Sequence, residues 1–237
     1  MSRPEIAWID KPDEPGEAVV WLLRLAALPP LAPARSEDMI DSAHGGGPGR
    51  LTRRRVARTL LAARNGRHPD TVKLDRTVEG GLKPALESDG FISISERHGW
   101  IAVAHARQMI GVDIERAGDA ETSELDAMAP ASEDLDFGLR WAALEAFSKL
   151  MGTGLIPELE RTRLAFTPPD HLVASLGERK AGLRFRRVGE IFAAAALDIN
   201  RQLANLRRRA NFPPDIDRGI TRCAFTPASS CLPPPQP

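Results

Sequence analysis

The chain contains no tyrosine, only two cysteines and no excess of charge of either sign. Each shortage excludes something. Cys223 and Cys231 lie near one end of the sequence, so no disulfide framework organises the fold, and without a CxxC or Cys/His cluster there is no zinc site. Lys plus Arg and Asp plus Glu each total 32, for a formal charge of zero. A protein that coats nucleic acid carries a basic excess instead. Long apolar runs are also missing. The stretch from Ala18 to Leu28 is broken by Arg24 and is too short to span a membrane. It lacks the basic leader and cleavage site of a signal peptide. The expectation is a cytoplasmic protein with no membrane partner.

What is present is ordinary for a globular chain. Its 237 residues are 42% hydrophobic and 27% charged, enough for a substantial core. Ile6 to Ile9 reads as a short strand, followed by a mixed apolar segment and a proline-rich link at Pro29, Pro30 and Pro33. The run Gly45-Gly46-Gly47-Pro48-Gly49 reads as a flexible loop over 42–49; it lacks the Lys-Ser/Thr ending of a nucleotide-binding P-loop. Leu51 to Arg64 has helical periodicity, with Val56, Leu60 and Leu61 on one face. Val72–Leu74 reads as a short strand, with a turn at Gly80–Gly81. Phe91–Ser95 alternates as a half-buried strand, Gly99 turns the chain, and Trp100–Ala104 returns. Ile110–Ile114 is a third strand. Phe137–Met151 is the clearest helix, ended by Gly152 and Gly154. Leu183–Arg187 and Glu190–Ala196 form a closing hairpin. Residues 201–237 read as a basic, then proline-rich, disordered tail.

Three groups of residues carry chemistry. Arg50, Arg53, Arg54, Arg55, Arg58, Arg64 and Arg67 crowd one region, with no acid until Asp70. Such a cluster is either a solvated helix face or an anion site that relieves its own repulsion with a polyphosphate. A nucleic-acid reading of the same helix lacks the interleaved aromatics that stack on bases. The second group is Gly111-Val112-Asp113-Ile114-Glu115. On a strand, Asp113 and Glu115 share one side and Val112 and Ile114 the other. Two carboxylates so close suit a hard divalent cation such as Mg²⁺; the plain alternative is a strand end with two solvated acids. The third is Trp141, Glu145 and Lys149, spaced i, i+4, i+8 along one helix face. Here a surface Glu–Lys pair competes with a metal ligand or base beside a phosphate-contacting lysine.

Taken in order, these segments resemble the signature of the 4′-phosphopantetheinyl transferases. That family's pattern is G-(V/I)-D-x-E followed by W-(S/A/T)-x-K-E-(A/S)-x-x-K. It is matched here by Gly111, Val112, Asp113 and Glu115, then Trp141, Glu145, Ala146 and Lys149. Lys83-Pro84 stands for the family's Gly-(Lys/Arg)-Pro, and Ser93 to Trp100 for its S-H-S-x-x-W strand. The resemblance spans roughly residues 40–200.

The resemblance implies an α+β fold: two similar halves related by a pseudo-twofold, each a small antiparallel sheet packed with a long helix. Residues 1–105 would supply coenzyme A contacts, and 106–200 the metal and catalytic helix. At this length the resemblance is to the monomeric, surfactin-synthetase-activating type. It implies transfer of the phosphopantetheine arm of coenzyme A to a serine of an acyl or peptidyl carrier protein. Mg²⁺ would be held by Asp113, Glu115 and Glu145, with Glu145 taking the serine proton and Lys149 steadying the phosphates. Arg50, Arg54, Arg58, Lys83, Ser95 and His98 are the implied coenzyme A contacts. The alternative is a degraded relative that binds a carrier protein or nucleotide without transfer. Two residues depart from the pattern. Leu144 replaces a frequent lysine. Glu96 replaces a phosphate-contacting histidine, and would repel phosphate by about 1 kcal/mol in water-like surroundings and about 4 at lower dielectric, at about 4 Å. Arg97 or His98 is expected to relieve that repulsion.

Overall fold

Alternation along the strands decides how the layers stack. In the computed structural model, which describes residues 6–7, 18–43, 47–77, 81–118, 135–152, 161–167 and 171–198, the first sheet runs in the order β1 (Ile6–Ala7), β2 (Val19–Arg24), β6 (Trp100–Ala106), β5 (Phe91–Arg97). The second runs β7 (Ile110–Arg116), β11 (Ile191–Asp198), β10 (Arg179–Val188), β9 (His171–Leu176), β8 (Arg163–Thr167). Every pairing in both is antiparallel. A small hairpin pairs β3 (Leu74–Arg76) with β4 (Leu82–Pro84). The helices are α1 (Ser36–Ala43), α2 (Gly47–Arg64) and α3 (Phe137–Met151). The chain is therefore α+β with antiparallel sheets, and every described residue lies within one unit, Met1–Asn200.

The period of two sorts the apolar residues into three layers. Val20 and Leu22 of β2 and Ala102 and Ala104 of β6 meet Ile110, Val112 and Ile114 of β7 and Ala193 and Ala195 of β11, so the sheets pack face to face. The opposite sides of β2 and β6, carrying Trp21, Leu23, Ile101 and Val103, meet Val56, Ala57, Leu60 and Leu61 of α2. The opposite side of the second sheet, with Leu183, Phe192, Ala194 and Ala196, meets Leu139, Ala143, Phe147 and Leu150 of α3. The order is helix, sheet, sheet, helix. The edge strands β5 and β7 lie side by side, and Val112 N donates to Ser93 Oγ at 3.0 Å.

Several elements differ from the sequence reading. The mixed segment after residue 18 is β2, buried on both faces, which makes its apolar run continuous rather than alternating. Of the region read as a loop over 42–49, residues 42–43 and 47–49 are helical, since α1 reaches Ala43 and α2 starts at Gly47; residues 44–46 lie outside the described residues. Pro48 falls in the first turn of α2, where its fixed φ suits a helix start and its missing N–H costs nothing. Strands β4, β8 and β9 and helix α1 are further elements that the sequence reading does not assign. The tail from residue 201, both cysteines and Gly154 lie outside the described residues. Among the described residues no helix is long and apolar enough to cross a membrane.

One buried ion cluster ties α1, α2 and β3 together. Asp38 is wholly buried, as is Arg58; Arg54 is nearly so. Arg58 donates to both oxygens of Asp38 at 2.6 Å, and Arg54 Nε donates at 2.7 Å. The same arginines donate to the Leu74 and Val72 carbonyls at 2.6 and 3.3 Å. Burial opposes ionisation of Asp38, but the Arg58 and Arg54 hydrogen bonds outweigh it and hold the carboxyl at about 2, below its usual 3.8. Asp38→Asn would leave two buried guanidiniums underpaired. The expected loss is about 3–5 kcal/mol, read as a lower urea midpoint. A depressed carboxyl stabilises the fold above its unfolded pKa, so the wild-type advantage should fade as pH drops from 3.8 through about 2.

Candidate functional site

The site is positioned by two backbone contacts between α3 and β7. A Cβ on Gly111 would lie 1.9 Å from the Ala146 carbonyl oxygen and 2.7 Å from Leu150 N. A Cβ on Gly138 would lie 2.0 Å from the Arg116 carbonyl oxygen. Only glycine permits this approach. Asp136 caps the helix, accepting from Gly138 N at 2.8 Å, and Gly152 ends it in the left-handed conformation. With both ends of α3 fixed on an antiparallel course against β7, Glu145 and Lys149 come to rest over Asp113.

Lys149 Nζ donates to Asp113 Oδ1 at 2.6 Å and to the Val112 carbonyl at 3.2 Å, and stands 4.0 Å from Glu145 Oε2. Ser95 Oγ donates to the same Oδ1 at 2.8 Å. Asp113 Oδ2 is buried with no N–H or hydroxyl donor on it, and the Glu145 carboxyl hydrogen-bonds Asp113 when it holds its proton. Burial, and then the negative charge of Asp113, push the Glu145 carboxyl up to about 7 against the pull of Lys149. Glu115 is engaged differently: His98 Nε2 lies 2.8 Å from Oε1 and Arg97 Nη1 2.8 Å from Oε2. His98 and Gly99 both have positive φ, 51° and 76°, as a two-residue hairpin turn of mirror-image type requires. His98 therefore does not continue β5; its ring turns to Glu115.

A cavity of about 490 Å³ opens beside this group. Its walls carry Arg50, Arg53 and Arg54 of α2, Arg76 and Lys83 of the β3–β4 hairpin, and Glu145, Ser148 and Lys149 of α3. Apolar residues of β5 and the start of β7 line much of the remainder, with Thr77, Gly81, Leu82, Ser93 and Gly152. Among the described lining residues Glu145 is the sole carboxylate, so the lining favours an anion.

The expected site residues divide into two sets. Arg50, Arg54, Lys83, Glu145 and Lys149 line the cavity, while Asp113 lies behind Lys149. Arg58 does not line it: it is sealed in the Asp38 cluster, which also engages Arg54. The shared helix face of Arg54 and Arg58 points into the protein, because α2 buries that side against α1 and β3. Ser95 and His98 are hydrogen-bonded to Asp113 and Glu115 and do not line the cavity. Two cations were not singled out as contacts. Arg53 sits within the arginine run, one position from the residue chosen; Arg76 has a signal only once β3 is known to pair with the strand of Lys83. Leu144 is buried against Trp141 and Leu164, so a long cation there would face an apolar cluster.

Asp113 and Glu145 fit a hard divalent cation, since one buried oxygen has no N–H or hydroxyl donor and two carboxylates repel across the gap. Glu115 stands apart, with its oxygens on His98 and Arg97. Among the described residues no three His, Cys, Asp or Glu side chains converge as a metal site. No family model matches the chain, and no match is found among curated proteins.

Two outcomes test this geometry. Gly111→Ala must push α3 off β7, so it should destabilise the fold by more than Gly177→Ala, where a Cβ meets open space and only the left-handed φ of 58° is strained, at about 1–2 kcal/mol; thermal unfolding of the two variants supplies the comparison. For Glu145, the folded carboxyl holds its proton up to about 7, against 4.5 ordinarily. The native state then binds more protons than the unfolded one across that window, so stability falls as pH rises through it. Glu145→Gln removes that fall. In chelator, its melting temperature should gain on wild type between about pH 4.5 and 7 and level off above.

Proposed function

We propose that the protein transfers the 4′-phosphopantetheine arm of coenzyme A to a serine of an acyl or peptidyl carrier protein. The observation that carries this reading is the Asp113–Glu145–Lys149 group opening into a cavity walled by Arg50, Arg53, Arg76 and Lys83. A polyphosphate donor fits a cationic wall, and a nearby carboxyl near neutrality fits a proton acceptor. The sequence signature over Gly111–Glu115 and Trp141–Lys149 supplies the specific donor. The two sheet-and-helix layers, α2 on the first sheet and α3 on the second, agree with the two-half arrangement that the signature implies.

In this reading the guanidiniums and Lys83 hold the phosphates and fix the donor's orientation. The serine oxygen bonds to the β-phosphorus, and the bond to the leaving oxygen of adenosine 3′,5′-bisphosphate breaks. Glu145 takes the serine proton; its raised carboxyl is matched to that task near pH 7. Lys149 keeps a positive charge beside the phosphoryl oxygens while holding Asp113 in place. Ser95 fixes the other approach to Asp113. A Mg²⁺ ion, if bound by Asp113 and Glu145, would neutralise charge on the pyrophosphate.

The test is incubation with coenzyme A, Mg²⁺ and a panel of apo carrier proteins, read by intact mass. One transferred arm on at least one carrier is expected, with loss of the gain in Asp113→Asn and in excess chelator. Coenzyme A binding without transfer to any carrier would favour the degraded relative, a binding protein only. Full activity in Asp113→Asn would remove the metal assignment.

A further inference from the structure

Glu96 stands beside Arg53, a residue of the cavity wall, and carries the wrong charge for an anion site. Ile92 and Ile94 of β5 face α2, and the strand's alternation puts Glu96 next on that same side. Its carboxylate meets the first turn of α2: a Cβ on Gly49 would lie 3.3 Å from Oε1. Its partner is Arg53, one turn further along α2, with Nε 3.4 Å from Oε2. Arg97 and His98, expected to relieve its charge, are on Glu115 instead. Alternation again gives the reason, since Arg97 belongs to the β7 side of the strand.

The contact is loose. Glu96 Oε2 is buried and has no hydrogen-bond partner, although an arginine stands beside it. Asp38 and Glu115, by contrast, have charged donors at 2.6–2.8 Å. Arg53 is 36% exposed and lines the cavity, so it can be approached by Glu96 from one side and by a ligand from the other. No acid occupies the first turn of α2 itself; Glu96 supplies the negative charge that a helix start favours.

We propose that Glu96 is a tethered competitor for the anion ligand of this cavity: it shares Arg53 with the incoming phosphate and sets how tightly a polyanion is held. This rests on the reading of the cavity as a polyphosphate site. An empty cavity keeps part of its positive charge neutralised. A multiply charged ligand draws Arg53 away from a carboxylate that bonds it poorly. When a polyanionic product leaves, the carboxylate retakes the guanidinium. Glu96 thus positions Arg53 and holds polyanion affinity below what the arginines alone would give, which favours release.

The experiment is calorimetric titration of inorganic pyrophosphate into wild type, Glu96→Gln, Arg53→Gln and the double variant, with coenzyme A titrated in parallel. Gln keeps the shape and removes the charge, and cooperative unfolding within about 4 °C of wild type shows that the fold is intact. Glu96→Gln is expected to bind pyrophosphate about tenfold more tightly, about 1.4 kcal/mol, with a steeper fall in affinity as salt rises. In the Arg53→Gln background the same change should give little or no gain, the non-additivity that a shared partner produces. An equal affinity in wild type and Glu96→Gln, or the full gain persisting without Arg53, overturns the competitor while leaving the polyphosphate site standing. No binding of pyrophosphate or coenzyme A by any variant overturns both.

Discussion

The contact between the α3 backbone and the β7 backbone is the constraint on which the rest depends. Two glycines, near opposite ends of the contact, bring a helix and a strand closer than any side chain would allow. A helix seated on side chains can slide or rotate by a fraction of a turn as its neighbours repack. One seated on carbonyl oxygens at two points has no such freedom. The placement of Lys149 on Asp113, and of Glu145 beside both, follows from that registration. The favourable ion pair is thus a consequence of packing as much as a cause of it. A carboxyl pushed up to about 7 is tolerated because the backbone contact, not the carboxylates, fixes the helix.

The same argument explains what could be read from the sequence. Gly111, Asp113 and Glu115 carry the strand's alternation, and Trp141, Glu145 and Lys149 the helix's period, so both elements and their polar faces were legible. That Gly111 meets Ala146 was not, because close approach is a property of two segments and leaves no periodic trace in either. The central strand β2 was hidden for a related reason. With apolar partners on both faces, its run Val19-Val20-Trp21-Leu22-Leu23 does not alternate. Helix α1 is only eight residues long, and its apolar pair Met39-Ile40 is exposed rather than turned to the core.

The arginine run shows where composition misleads. Seven arginines in one region offered either a solvated helix face or an anion site, and Arg50 and Arg53 line the cavity. Arg58 does not, and Arg54 reaches the cavity while engaged by a carboxylate inside the fold. The missing information was Asp38, sixteen and twenty positions away on α1. An arginine's role is set by the nearest carboxylate in space. Helical spacing gives which arginines share a face, but not whether that face looks into solvent or onto a buried acid.

Charge balance around the site follows one pattern at three depths. In the interior, Asp38 is saturated by two guanidiniums and serves the fold. At the middle depth, Asp113 and Glu115 have one oxygen and two oxygens engaged, respectively, by Lys149 with Ser95 and by His98 with Arg97. At the rim, Glu96 meets the first turn of α2 and stands 3.4 Å from Arg53, with one buried oxygen that has no hydrogen bond among the described residues. The cost of exchanging a partner falls in that order, since each lost charge-assisted bond must be replaced by another. A ligand that brings its own charges will therefore rearrange the rim first, Asp113 next and the Asp38 cluster not at all. The arginines that join α1, α2 and β3 tie the hairpin bearing Arg76 and Lys83 to the two helices, so on the proposed polyphosphate reading the wall stays in place while rim side chains exchange partners.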